Sequence, residues 1–550
     1  MLFQKSRRYS ETIENLGNAL LFLLETMNDD CVMNGNDDQA QVLQFMKTME
    51  LYADLMEAAQ TEVNKSNFKL TDLQTSIELT FNNKGRNGAL KNAIYKYVCL
   101  HAAKHSEVPV DHLKDPISYV FKAQQSWEKK IMKSLNSMCT ELNVPLARQR
   151  TEKEQKEFNH MWTALGADGP DFSQIRPVYA PKDFLEVVTS LNNVNYRSTN
   201  HSGFNLWGII QIPLKNRTMD ELRIQFNEMS INQWQSGMDD EQDISVEIFD
   251  HDRIKLGQKV IASKHAPLAC EFTKKGSSIS LRGDLWCQMM GIKIDDVDIL
   301  YYEKLKSNVL QHELLIDNLL YKDVKLTATN DDHYFVFEDF LYQILLPFSR
   351  DTVVLRNLLE NSTATPARSY IRGKVGLEQF EVYYPPSGVI PFHGFAMYVS
   401  PLCYLYKEPI KLYYVFRELY TCYFFRLHVL STDPQGILSL SQLFETLLQT
   451  HEAELFYHLK SVNCQPLKIA FKWLMRAFSG FLASDQVLIL WDRILAFNSL
   501  EILSVLAVAI FTFRKTNLMK VQTYSAAEGV LADLTTLQVL PLIQLSLFCK

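Results

Sequence analysis

Apolar residues recur at helical steps along much of this chain, and no stretch alternates apolar with polar side chains for long enough to build a sheet. Val487, Leu490, Trp491, Ile494 and Leu495 fall three and four residues apart, which places them in one stripe on a helix. Val42, Phe45, Met46, Met49, Tyr52, Ala53 and Met56 make a second such face near the other end. Thr71 with Gln74, and Thr151 with Glu154, have capping-box spacing, in which a hydroxyl and an N3 side chain satisfy free N–H groups at a helix start. Thr218 with Glu221 suggests another capped helix, and a long one is predicted from about Ile117 to Leu142. The pattern restricts the chain to an all-α fold, with a bundle-like region at its N-terminal end.

At 550 residues the chain exceeds what one ordinary core holds, so more than one domain is expected. Gly166, Gly169, Pro170, Pro177, Pro181, Asn192, Asn193, Asn195 and Asn200 concentrate turn formers in one segment. An acidic stretch at Asp239, Asp240, Glu241 and Asp243 then reads as a solvated loop. We divide the chain into an N-terminal helical region (1–165), a linker with short helical or irregular segments (166–265), and a second helical domain (266–550). Pro366, Gly373, Gly376, Pro385 and Pro386 interrupt that domain with an inserted loop or hairpin at about 350–388.

Composition excludes several functions. A net charge of −7 gives no basic footprint for nucleic acid. Nine cysteines without a CxxC pair read as reduced core residues, not as a disulfide framework or a zinc site. The apolar run Ala19 to Leu24 is too short for a signal-peptide core, and Ile502 to Phe513 falls short of the roughly 20 residues that span a bilayer. An intracellular protein is expected, cytoplasmic and recruited to internal membranes only through partners. No phosphate-binding GxxxxGK[ST] loop, GxGxxG turn, GxSxG elbow or HExxH pair is present. Asp250-His251-Asp252 and Asp331-Asp332-His333 read as exposed loops, so no metal site is assigned.

The specific signals lie in the second domain. Arg282 and Trp286, four apart in a run from Leu281 to Gly291, share a helix face on which a guanidinium can lie against an indole. Leu314 to Asp317, then His393-Gly394 and the segment to Tyr406, then Trp473 and Leu490-Trp491-Asp492-Arg493 follow in order. Together these resemble the motifs of the TBC domain, the helical module of Rab GTPase-activating proteins. The opening LRGxxWxxxxG, an IxxD motif, the helix after YxQG and the late Trp and WD signatures occur in register from near Ala266 to the C-terminus, about half the chain.

The resemblance implies chemistry supplied to a partner. An inserted Arg stabilises the charge that develops on the transferring phosphoryl group, worth on the order of 10³–10⁵ in rate, and a Gln orients the attacking water. GTP and Mg²⁺ belong to the Rab-type GTPase, so the chain needs no cofactor of its own and is a regulator, not an enzyme with its own substrate turnover. Arg282, Trp286, Asp317, Gly394, Trp491 and Asp492 are the motif residues for GTPase binding and structure. The sequence departs from the family at both fingers. Counting from Asp317, the Arg position is Leu320, with Tyr321 and Lys322 beside it; the Gln position is His393 and the Tyr position Pro391. An imidazole can still hydrogen-bond a water. Arg368 and Arg372, in the insert, are candidates for a repositioned finger. Two readings follow: a GTPase-activating protein for Rab GTPases in membrane trafficking, or a pseudo-GAP or helical scaffold that binds without accelerating hydrolysis.

Overall fold

The computed structural model describes residues 44–45, 47–65, 69, 72–73, 75–76, 79, 92–93, 116–166, 174–191, 214–230, 246–330, 334–361, 368–372 and 379–548, with backbone alone for 50–51, 63, 116–119, 246–250, 329–330, 361, 368–372 and 379–381. Regular structure among these residues is helical apart from two short antiparallel ribbons. The fold is all-α. The Thr71–Gln74 cap, the Asp239–Asp243 run, the Asn192–Asn200 cluster, Gly169, Pro170, Val42, Met46 and Asp331–His333 lie outside the described residues.

The described residues fall into two compact units. One holds the described residues before 115 together with 446–464. Its helix Glu50–Val63 buries Leu55 and Ala59, while Ala53 is exposed, so the buried face is rotated from the one expected. In this unit Asn92 donates to the Gln449 carbonyl at 2.7 Å, and Tyr457 donates to the Asn92 side chain.

The second unit holds 116–191, 214–445 and 465–548. Helix Pro116–Leu142 matches the long helix expected, and Thr151 and Thr218 cap their helices by reciprocal bonds with Glu154 and Glu221. Pro181 is not a turn residue but opens the helix Pro181–Ser190, where its missing N–H costs nothing. Strand β1 (Ala147–Gln149) pairs antiparallel with β2 (His312–Leu314), Ala147 facing Leu314. This ribbon ties the earlier segment to the start of the helix Leu315–Asn330, with Leu315 N–H donating to the Leu146 carbonyl at 2.9 Å. Among its described residues, the stretch 350–388 takes the hairpin alternative and adds a helix. It holds the helix Thr352–Asn361 and a hairpin of β3 (Arg368–Arg372) and β4 (Gln379–Tyr383). His251 and Asp252 sit exposed on the helix Val246–Ser263, not in a loop.

The most apolar helix among the described residues, Glu501–Phe513, is buried on every side from Glu501 to Phe511 and packs against Val539–Phe548 and Pro466–Met475. A helix apolar all round needs such a site. No helix among the described residues is long and apolar enough to cross a membrane. The helix Ser484–Phe497 carries the stripe read from the sequence, with Val487, Leu490, Trp491, Ile494 and Leu495 all buried.

Arg282 and Trp286 are joined through a third residue rather than by guanidinium–indole stacking. Arg282 Nε donates to Asp492 Oδ2 at 2.9 Å and Trp286 Nε1 donates to Asp492 Oδ1 at 2.6 Å, with all three residues buried. Arg282 also donates to the Ser277 carbonyl at 3.1 Å. One carboxylate thus pins the helix Ile279–Met289 to Ser484–Phe497 across more than two hundred residues of sequence. Elsewhere, His428 is enclosed by Phe392, Phe395, Tyr398 and Tyr420, with Nε2 at 2.8 Å from the Tyr420 hydroxyl and Nδ1 at 3.3 Å from that of Tyr179. Burial drives the imidazole pKa down to about 3, so His428 is neutral when folded.

Asp492→Ala should cost about 3–5 kcal/mol of unfolding free energy in urea, because it leaves Arg282 buried and uncompensated. Removing the exposed Asp284–Lys411 pair by Asp284→Ala should cost under about 1 kcal/mol. For His428, the unfolded chain takes up a proton below pH 6.5 that the folded chain refuses until about pH 3. Its contribution to stability is therefore lost as pH falls through that window, by up to about 1.4 kcal/mol per pH unit. Urea midpoints of His428→Gln should fall less steeply between pH 6.5 and 4 than those of the natural chain.

Candidate functional site

The helix Leu315–Asn330 turns Leu319, Lys322, Asp323 and Leu326 toward one shallow, solvent-open groove, since three- and four-residue steps share a helical face. Pro391, Phe392 and His393 form the facing wall, and Pro177 and Val178 form a third. His393 is the polar group most open to solvent on the facing wall, its side chain 39% exposed.

Backbone hydrogen bonds hold this wall in place. The buried Asp323 carboxylate accepts from Gly394 N–H at 2.6 Å and from Ala396 N–H at 2.8 Å. Arg476 donates from Nη2 to the His393 carbonyl at 2.8 Å, and the His393 N–H donates to the Tyr179 carbonyl at 3.0 Å. The His393 carbonyl and the Gly394 N–H belong to one peptide unit. That unit is gripped at its acceptor end by a cation and at its donor end by an anion, so its plane cannot rotate without breaking two charge-assisted bonds. Burial pushes the Asp323 carboxyl up, against the pull of the two backbone N–H groups, His393 and Arg476. Burial pulls the Arg476 guanidinium down, opposed by Asp323 and Tyr398.

Gly394 is required here twice over. Its φ is +99°, in the left-handed region, and a Cβ on it would stand 2.3 Å from the Arg476 guanidinium. The His393 imidazole Nδ1 lies 3.7 Å from Asp323 Oδ1, beyond hydrogen-bond reach.

The residues singled out from the sequence scatter. His393 and Gly394 belong to the groove. Leu320 does not: it is 2% exposed and sits in the core, one residue out of step with the groove-facing positions. Asp317 is 1% exposed and forms a bidentate ion pair with Arg350, with Arg350 Nη2 at 2.7 Å, while accepting from Leu314 N–H at 2.9 Å. It anchors the helix start below the β2 strand. Arg282, Trp286, Trp491 and Asp492 are buried core residues. Arg372 belongs to β3, and its side chain lies outside the described residues.

Motif reading missed Asp323, Leu319, Leu326, Pro177 and Val178, which line the groove, and Arg476 and Tyr179, which brace its wall. One signal was available for Asp323. The Leu-x-x-Asp spacing occurs twice in a row, as Leu314–Asp317 and as Leu320–Asp323, and only the second carboxylate meets the His393 turn. Three residues beyond Asp323 is Leu326, which lines the groove.

The Rab-GTPase-TBC domain family pattern matches residues 379–519. The human protein TBC1 domain family member 19 is 53% identical over 511 residues, covering 92% of this chain and 97% of the human one. The crystal structure of the Chlamydomonas flagellar RabGAP TBC domain aligns at 15% identity over 63% of this chain and 99% of that chain, with a TM-score of 0.40.

Gly394→Ala should lose about 2 kcal/mol or more of unfolding free energy, combining left-handed strain with displacement of Arg476. Gly291 is also left-handed, at φ +69°, but has open space around it, so Gly291→Ala should lose only about 1 kcal/mol. Urea unfolding of the two variants separates strain from steric exclusion.

Proposed function

Since this chain belongs to the TBC domain family, we propose that it regulates a Rab-type small GTPase as a GTPase-activating protein, receiving the GTP-loaded partner at the groove between Leu315–Asn330 and the His393 turn. The observation that carries this reading is the grip of Asp323 on the Gly394 and Ala396 amides. It fixes a polar imidazole on one wall of the groove against a helix face on the other, as two-sided presentation to a nucleotide requires.

Asp323 and Leu326, rather than Asp317 and Leu320, are the better match to the Asp and Arg positions of the IxxDxxR motif. The reason is physical. A finger has to reach the partner, and Leu326 lines the open groove whereas Leu320 is in the core. In either register the Arg is replaced by a leucine, which offers no charge. His393, at the Gln position, can orient water by hydrogen bonding, so stimulation is expected to be weaker than the 10³–10⁵ typical of a full arginine finger. GTP and Mg²⁺ stay with the partner in this scheme, and any membrane location comes through it.

A second reading, a pseudo-GAP that binds without acceleration, is favoured by that same leucine on the groove wall. The experiment is a panel of GTP-loaded Rab GTPases assayed for both binding and phosphate release with the purified full chain. The activating reading expects one or more members to be bound and accelerated, with acceleration lost in His393→Ala; binding without acceleration selects the pseudo-GAP. Leu326→Arg with His393→Gln should raise phosphate release at least about tenfold. Leu320→Arg should instead unfold the chain, because it buries an unpaired charge.

A further inference from the structure

We propose that Lys322 is the anion-binding residue of the groove and that it meets a phosphate oxygen of the partner's nucleotide, supplying part of the charge that Leu326 cannot. The assignment rests on the groove being the GTPase site. Among the residues that line it, Lys322 is the one Lys or Arg and Asp323 the one acidic residue. Asp323 is already spent on two backbone amides. Lys322 is spent on much less: its Nζ donates to the Ile175 carbonyl, a neutral acceptor.

That difference decides which nearby cation is available. Arg476 holds the His393 carbonyl, faces Asp323 and lies packed over Gly394, so withdrawing it would undo the wall itself. Lys325 is paired with Glu338 at 3.2 Å. Moving the Lys322 ammonium from the Ile175 carbonyl to a phosphate oxygen exchanges a bond to a neutral oxygen for one to an anion, so the exchange runs downhill when a phosphate arrives. Lys322 also lies one helical turn before Leu326 on the same face of the groove wall.

In the reaction, a water oxygen bonds to the γ-phosphorus as the bond from that phosphorus to the bridging oxygen of GDP breaks. The water proton passes to the phosphate product. Lys322 keeps its protons and only offsets charge on the phosphoryl oxygens. As a point charge without the planar fork of a guanidinium, it would supply less than an arginine finger.

The test compares the natural full chain with Lys322→Ala, Lys322→Arg and His393→Ala. Each is measured for affinity toward Rab GTPases loaded with GTP, and with GDP plus aluminium fluoride as a mimic of the transferring phosphoryl group. Lys322→Ala should weaken binding of the aluminium fluoride form by about 10- to 100-fold, the range of one hydrogen bond to a charged group, and change binding of the GTP form much less. Lys322→Arg should retain or improve it. If the natural chain and Lys322→Ala bind the aluminium fluoride form equally while His393→Ala weakens it, the Lys322 assignment is overturned and the groove stands. If the natural chain binds no panel member in either form, both readings fall.

Discussion

A single buried carboxylate governs the geometry of the groove. Asp323 could have been stabilised by a partner side chain, but its oxygens instead take the backbone N–H groups of Gly394 and Ala396. Backbone amides have no rotamers to lose, so the bonds set position more tightly than a pair of flexible side chains would. Everything at the site then follows from that choice. The chain must turn sharply at Gly394 to present both amides, the turn leaves room for Arg476 across the glycine, and Arg476 takes the carbonyl that the turn exposes. The imidazole of His393 is left facing solvent.

The same device recurs away from the groove with different partners. Asp492 joins Arg282 and Trp286, and Asp317 joins Arg350 and the Leu314 amide. Asp323 and Asp492 connect elements far apart in sequence, Asp317 joins neighbouring helices, and each carboxylate is fully engaged. A buried ion pair contributes little net stability against an apolar alternative, but breaking one side of it is expensive. Such pairs therefore act as registry pins: they penalise misdocked helices more than they reward docked ones. In a fold made of many similar apolar helices, that penalty distinguishes one arrangement from its neighbours.

Much of the helical architecture was legible because helix periodicity and caps are local. Thr151–Glu154, Thr218–Glu221 and the stripe on Ser484–Phe497 need only a few residues of context. The site was less legible because its determinants are not local. Leu320 and Leu326 are both leucines in the same helix, and only the packing on either side distinguishes the buried one from the groove-facing one. Asp317 and Asp323 share the same local spacing, and their roles part according to whether Arg350 or the Gly394 amide lies opposite. The Arg282–Trp286 spacing was real, but its purpose depended on Asp492, more than two hundred residues later. The Pro177–Tyr179 segment carries no motif at all. It reaches the groove wall through the Tyr179 carbonyl and through the buried Tyr179 ring, which packs against Phe392.

That last segment has a bearing on how such a groove diversifies. Its contribution is a main-chain carbonyl from Tyr179 to His393 and another from Ile175 to Lys322, together with the surfaces of Pro177 and Val178. Carbonyls survive almost any substitution, so the exposed side chain at 177 is free to drift while the wall keeps its place, whereas Val178 is held by its burial. Residues remote from the segment matched by the family pattern can thus reshape what the opening admits, without disturbing the pinned helices beneath it.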